Sequence, residues 1–290
     1  MTPLELVADS PVLTLVLAVL LGLMVGSFLN VVIYRLPLMM EREWRAQCAE
    51  LLSQPDPDTD KPALTLWGPR SQCPSCGHQI RAVENIPLLS YLWQRGRCAH
   101  CGTAISIQYP LVEAASGILA GMIVWWFGFG WPAAAALVFT WMLLAASVID
   151  FRTQLLPDSL TLPLLWLGLL AALFGLFADL PSAVIGAMAG YLSLWSVYQV
   201  FRLLAGKEGM GHGDFKLLAA LGAWTGWQYL IAIVILSSLV GAICGLALMA
   251  FQGRDRRIPI PFGPFLAAAG WIALLWGETI NRAYLDWMGL

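Results

Sequence analysis

The stretch PVLTLVLAVLLGLMVGSFLNVVI, residues 11–33, decides the fold class. It carries no charged side chain, and about 20 apolar residues suffice for a helix to cross a hydrocarbon core of roughly 30 Å. It is too long for the apolar region of a cleavable signal peptide. No basic segment precedes it, the only earlier charges being Glu5 and Asp9, so it reads as a permanent span. Further apolar runs follow at 109–128, 131–149, 159–178, 181–203, 229–251 and 260–277. The interval 215–226 is shorter and reads equally as a span, a re-entrant piece or a surface helix. The composition agrees: 59% of the 290 residues are hydrophobic and 12% are charged, against about 25% charged in a soluble domain. Fourteen Trp and twenty-seven Gly suit a membrane protein, where aromatics anchor at interfaces and Gly is tolerated in spans. A disordered chain, a nucleic-acid-binding protein and an ordinary soluble enzyme are excluded. The expected fold is an all-α polytopic membrane protein.

Basic residues mark the cytoplasmic side of short loops. With the N-terminus outside and 215–226 counted as a span, fifteen of the sixteen Lys and Arg lie inside, and only Arg282 lies outside. Without that span Arg254, Arg256 and Arg257 would move outside. About eight transmembrane helices are therefore expected. The division is a first helix over 1–33, a cytoplasmic loop domain over 34–108 and a membrane domain over 109–290. The 34–108 loop holds eight of the sixteen basic residues, and its 54–62 segment, QPDPDTDKP, is a connector with no helical character.

Within that loop, Cys73-Pro-Ser-Cys76 and Cys98-Ala-His-Cys101 form two Cys-x-x-Cys pairs twenty-one residues apart. Each knuckle aims two thiolates at one point, and two of them complete a tetrahedral zinc site of structural type, as in a zinc ribbon. Gly77 and Gly102 follow each pair, where a knuckle needs positive φ. Disulfides compete with this reading, but a cytoplasmic loop is reducing. His78 and His100 read as loop residues, since four thiolates already complete the site. Cys48 and Cys244 have no sequence partners.

Ionisable groups at or within a span are functional candidates. Asp150 ends the third span, and Asp214 lies in Gly209-Met-Gly-His-Gly-Asp214 at the start of the sixth segment. The topology, drawn from Lys and Arg alone, places both at the inner face. Two neighbouring carboxylates share a proton; one then activates water while the other polarises a scissile carbonyl. Glycines beside Asp214 would let an extended peptide come close. The competing readings are a helix cap or loop charge at each Asp, or a proton or cation relay in a transporter, for which no inverted repeat is found. Asp158 reads as the N-cap of the fourth span, Asp255 as a charge neutralised by Arg254 and Arg256, and His212 as a polar loop residue. Lys216, two positions from Asp214, points to another helical face.

The set of motifs resembles a known family. The GxGD pattern at Asp214 is joined, in order, by Gly26-Ser-Phe-Leu-Asn30-Val-Val-Ile-Tyr-Arg35-Leu-Pro37, the two cysteine pairs, Ile86-Pro-Leu-Leu-Ser-Tyr91, Arg95-Gly-Arg-Cys98, Tyr109-Pro-Leu-Val-Glu113, Ile149-Asp150 and Leu156-Pro-Asp158. From about residue 22 to the last span, the chain resembles bacterial type IV prepilin peptidases, the leader peptidase / N-methyltransferases among the GxGD membrane aspartyl proteases. The resemblance implies a bifunctional enzyme of the bacterial inner membrane. Such an enzyme removes the basic leader of prepilins and type II secretion pseudopilins at the cytoplasmic face. It then methylates the new N-terminal amine, usually of phenylalanine, from S-adenosylmethionine. It implies Asp150 and Asp214 as the catalytic pair, Gly211 and Gly213 as the motif glycines, and Gly96 as a residue bearing on methylation. The four-cysteine loop is the form tied to the methylating version of the family. No Gly-rich nucleotide fingerprint marks a site for the methyl donor. The implied partners are prepilins, pseudopilins and the lipid bilayer, with no nucleic acid.

Overall fold

The computed structural model describes residues 10–55, 58, 63–206, 210–252 and 261–288. Glu5 and the 254–257 loop that weighed in the topology, Asp255 included, lie outside the described residues, as does most of the 54–62 connector. The chain forms two compact units, Met1–Trp141 and Met142–Leu290.

In the first unit, helix α1 spans Pro11–Leu51. Ser10 caps it, its Oγ accepting from Leu13 N–H at 3.4 Å, and Pro11 opens the first turn, where a missing N–H costs nothing. The apolar run ends at Ile33, but the helix carries on to Leu51, well past the expected boundary. At 41 residues it is about 61 Å long, roughly twice the hydrocarbon thickness. Pro37 denies the Ile33 carbonyl its intrahelical donor. Beyond it the helix turns polar, with Glu41 pairing to Arg45 one turn on and Gln47 donating to Glu43. A short helix α2, Leu89–Trp93, lies in the loop. Helix α3, Gln108–Phe127, then returns antiparallel against α1. The contact is close because Gly22 and Gly26 lie one turn apart on α1. A Cβ on Gly22 would stand 2.7 Å from Ala120 Cβ, and one on Gly26 2.8 Å from Glu113 Cα. Ser116 Oγ donates to Gly22 O at 2.5 Å across the seam. This is the small-residue packing that membrane helices use in place of a hydrophobic driving force.

Residues 63–70 fold back onto α1. Arg35 is buried, its guanidinium donating to Thr65 O at 2.8 Å and Pro69 O at 2.5 Å, and Trp67 stacks on Phe28 with ring centroids 5.6 Å apart.

Helix α4, Trp131–Thr153, carries the unit boundary. The second unit continues with α5 (Asp158–Leu173), α6 (Leu180–Ala205), α7 (His212–Thr225), α8 (Leu230–Gln252) and α9 (Gly263–Met288). Among the described residues, six helices are long and apolar enough to cross a membrane: α1, α3, α4, α6, α8 and α9. The other two apolar helices, α5 and α7, have 16 and 14 residues and measure about 24 and 21 Å. The expected count of eight spans is thus not exact.

The ambiguous interval 215–226 resolves as α7, and its surroundings explain its length. Every residue from Asp214 to Thr225 except Lys216 is buried, and the helix packs against α5, α6 and α9. Enclosed by protein, it has no need to match the bilayer. Trp224 donates its indole N–H to Leu164 O on α5 at 2.8 Å. On the α6 side Gly186 and Gly222 meet backbone to backbone, and a Cβ on either would fall on the other's carbonyl oxygen. Backbone cannot yield as a side chain can, so Gly222→Val should cost about 1–3 kcal/mol. We expect the Tm of the detergent-solubilised protein to drop by about 2–12 °C; an unchanged Tm would show that α6 and α7 part freely.

Candidate active site and metal centre

Asp150 sits in the last turn of α4 and Asp214 in the first turn of α7. Both are buried, at 5% and 8% exposure. Asp150 Oδ2 accepts the backbone N–H of Gly263, the first residue of α9, at 2.9 Å. That donor belongs to a helix N-terminus, whose unsatisfied N–H groups favour negative charge. Asp214 has no such help: its Oδ1 is buried with no hydrogen-bond partner. Asp150 lies within electrostatic range of Asp214, and Leu156 fills the space between their neighbours. A Cβ on Gly213 would stand 2.6 Å from Leu156 Cβ, and one on Gly263 would stand 3.1 Å from Leu156 Cδ1. Three helix ends therefore converge on the two carboxylates: the C-terminus of α4 and the N-termini of α7 and α9.

The two motif glycines have different surroundings. Gly213 is held by Leu156, so a side chain there would push the segment after α4 away from Asp214. Gly211, the N-cap of α7, is exposed, and a Cβ there would meet only Asp214 Oδ2, at 3.9 Å. Gly211 is thus the open edge of the site. His212 is the first residue of α7, its ring lying edge-on to Tyr198 at 5.2 Å and tilted against Phe215 at 5.4 Å.

Asp158 does not cap its helix. Pro157 holds the N-cap position, and Asp158 reaches across to Lys216, whose Nζ lies 2.6 and 2.7 Å from its two carboxylate oxygens. The capping aspartate of this unit is Asp179, which accepts from Ser182 N–H at 3.1 Å. The charge of Lys216 is committed to Asp158.

Sequence reading missed Gly263. Its signal was Pro261-Phe-Gly-Pro264, a glycine between prolines at the start of an apolar helix. A Cβ there would stand 2.6 Å from Asp150 Oδ2 and 3.2 Å from its Cγ. Gly263→Ala should therefore displace the carboxylate without touching a residue that reacts. Misplacement by about 1 Å costs about 10²-fold in rate, and we expect that loss in the peptide hydrolysis expected of this pair, with the Tm nearly unchanged. Full activity would remove Gly263 from the site.

In the first unit the sulfurs of Cys73, Cys76, Cys98 and Cys101 all lie within 4.8 Å of one another. Cys73 Sγ and Cys101 Sγ are 3.8 Å apart, too far for a disulfide. The distance fits two ligands of a tetrahedral zinc, whose Zn–S bonds of about 2.3 Å set sulfurs about 3.8 Å apart. The two knuckles repeat one pattern. Cys73 N–H donates to His78 O and Cys98 N–H to Thr103 O, while Gly77 N–H and Gly102 N–H return to Cys73 O and Cys98 O. Gly77 and Gly102 have φ of +71° and +72°, as the spacing implied. The ribbon's strands are reduced to isolated bridges, Gln72 with Gln79 and Arg97 with Ala104.

Four sulfurs this close cannot all carry charge unless a cation sits among them. The Thr103 hydroxyl and N–H bring Cys101 down to about 6. At Cys76 the His78 N–H draws the thiol down, but burial and the other sulfurs outweigh it and push the thiol up to about 11. His78 and His100 stack on each other at 5.3 Å, and His78 Nε2 lies 3.2 Å from Glu84 Oε2, so both rings are otherwise engaged. Gly96 has a local reason to be glycine: its φ is +67°, and a Cβ would lie 2.9 Å from Tyr91 Oη.

Comparison with known proteins gives the family. The family described as Bacterial Peptidase A24 N-terminal domain matches residues 20–127, and the Type IV leader peptidase family matches residues 137–246. A protein of Stutzerimonas stutzeri named prepilin leader peptidase/N-methyltransferase is 56% identical over all of both chains. One of the same name from Pseudomonas aeruginosa is 56% identical over 99% of this chain and 98% of its own. Another from Xanthomonas campestris pv. campestris is 51% identical over 93% of this chain and 94% of its own. No solved structure matches. The transporter reading finds no support among these relatives. With both halves matched and relatives aligned from end to end, the chain belongs to the Type IV leader peptidase family.

Proposed function

We propose that this membrane enzyme cleaves the leader from type IV prepilins and type II pseudopilins and then methylates the exposed amine with S-adenosylmethionine. The relatives' shared name supports both reactions. The observation that carries the proteolytic half is the pair of buried carboxylates, Asp214 with a bare oxygen beside Asp150. We assign the two aspartates as the catalytic pair sharing one proton. Asp150, with one oxygen held by Gly263, offers the other to an attacking water and takes its proton. Asp214 gives the shared proton to the scissile carbonyl oxygen. The tetrahedral adduct then collapses, the C–N bond breaks, and the leaving amine takes up a proton. Gly211 is the edge along which an extended substrate backbone approaches.

The positive-inside count supports placing residues 34–108 and this site at the cytoplasmic face of the inner membrane. There the apolar stem of the substrate lies in the bilayer and its basic leader in the cytoplasm, so membrane geometry supplies much of the positioning. The four cysteines would hold zinc that fixes the 73–104 segment as a scaffold, and Gly96 bears on methylation through that scaffold. Mass spectrometry of a coexpressed prepilin tests both reactions at once. Loss of the leader plus one methyl group is expected, and an uncut prepilin would refute the reading.

A further inference from the structure

The first unit contains a buried ionisable group that proteolysis does not use. Glu113 lies on α3, inside the seam with α1, at 8% exposure. A carboxylate within a membrane helix is a functional candidate by default. Its carboxylate is held by the Leu88 N–H, at 2.8 Å, and by the Ser27 hydroxyl, neither of them charged. Leu88 is held at φ +59°, a conformation costly for a non-glycine residue.

Asn30, one turn along α1 from Gly26, faces the same seam at 4% exposure. Its Nδ2 donates to Tyr109 O at 3.1 Å, which leaves its Oδ1 buried without a partner. Gly26 packs on Glu113, and Asn30 bonds Tyr109 one turn before it. By register the two residues face the seam about one helical turn, roughly 5 Å, apart. A nitrogen lying about 2.9 Å from each of two oxygens bridges such a gap. Among the described residues the partners of Glu113 and Asn30 include no cation, which suits a group that brings N–H donors and positive charge.

We propose that Glu113 and Asn30 form the methyl-transfer centre, holding the new N-terminal ammonium of the trimmed substrate. This rests on the methylating half of the function proposed above. Glu113 takes a proton from the ammonium, and Asn30 Oδ1 accepts an N–H, leaving the nitrogen lone pair free. That pair forms the N–CH3 bond as the S–CH3 bond of S-adenosylmethionine breaks, its electrons remaining on sulfur. The product is a secondary ammonium and S-adenosylhomocysteine, and the proton on Glu113 passes to solvent.

Glu113→Gln separates this role from a structural one, because the Gln carbonyl still accepts the Leu88 N–H while the charge is lost. The full-length enzyme is given a leaderless pilin peptide beginning with phenylalanine and methyl-labelled S-adenosylmethionine, with prepilin cleavage and zinc content read alongside. The variant should keep zinc and cleave within about twofold of the wild type, since the change lies outside the Asp150–Asp214 pair. Its methylation should fall at least about tenfold at pH 6.5. It should recover to within about threefold at pH 9, where a terminal amine of pKa about 7.7–8.0 loses its proton unaided. Undiminished methylation at pH 6.5, a deficit constant with pH, or joint loss of cleavage and zinc would each overturn the proposal. If the wild type itself cleaves without methylating, the methylating function fails first and this centre with it.

Discussion

Asp214→Asn should lower leader cleavage by about 10²–10⁴-fold, the range expected when a positioned acid or base is removed, and leave the protein at least as stable. The first half follows from chemistry: an amide neither holds nor donates the shared proton. The second follows from the present surroundings of Asp214, whose Oδ1 is buried with no partner. An amide of nearly the same shape breaks no hydrogen bond at that oxygen, and it can no longer become a second charge beside Asp150. The expected pattern is therefore a dead protease with an equal or higher Tm and full zinc content. Purified prepilin in detergent gives the rate, and thermal unfolding gives the stability. Retained cleavage would remove Asp214 from the mechanism. A large drop in Tm would show that its carboxylate is a structural group.

Changing Cys76 and Cys101 to Ser should take bound zinc from about one ion per chain to near zero, as measured by elemental analysis. A structural zinc contributes on the order of 10 kcal/mol to the segment that binds it. Among the described residues the 73–104 segment has little else to hold it: isolated bridges, short turns and a largely exposed surface. We expect it to become sensitive to protease while the helices of the second unit keep their Tm. Methylation should suffer at least as much as cleavage, because Leu88, the partner of Glu113, is anchored in the same loop. Zinc retained by the double variant would place the metal elsewhere.

What the sequence disclosed and what it hid follow from the range of the interactions. The spans were legible because hydrocarbon thickness imposes a run of fixed length. The knuckles were legible because four thiolates within 4.8 Å need a local turn with glycine after each pair. Asp150 and Asp214 stood out because charge is scarce in this chain. Gly263, by contrast, acts on Asp150 from 113 positions away, and no local pattern reports a contact of that separation. Asp158 was misread for the same reason. A Ser, Thr, Asn or Asp before an apolar run satisfies the capping rule, and only the fold brings Lys216 to its carboxylate. The length of α1 was hidden because an apolar run reports only the part of a helix that lies in hydrocarbon, and that run ends at Ile33 while the helix continues through polar turns to Leu51.

The shortness of α5 and α7 bears on a supply problem peculiar to this chemistry. Each bond cut consumes a water molecule, and the bilayer interior holds almost none. At about 21 Å, α7 falls roughly 9 Å short of the hydrocarbon thickness. The end carrying Asp214 is the wet one: Gly211 beside it is exposed, and the Asp158 side chain nearby is 56% exposed. Truncation there brings the aqueous boundary down to the carboxylates, so no dedicated channel is needed. Lengthening α7 by a turn ahead of Gly211 would then leave both aspartates in place and starve them of reactant.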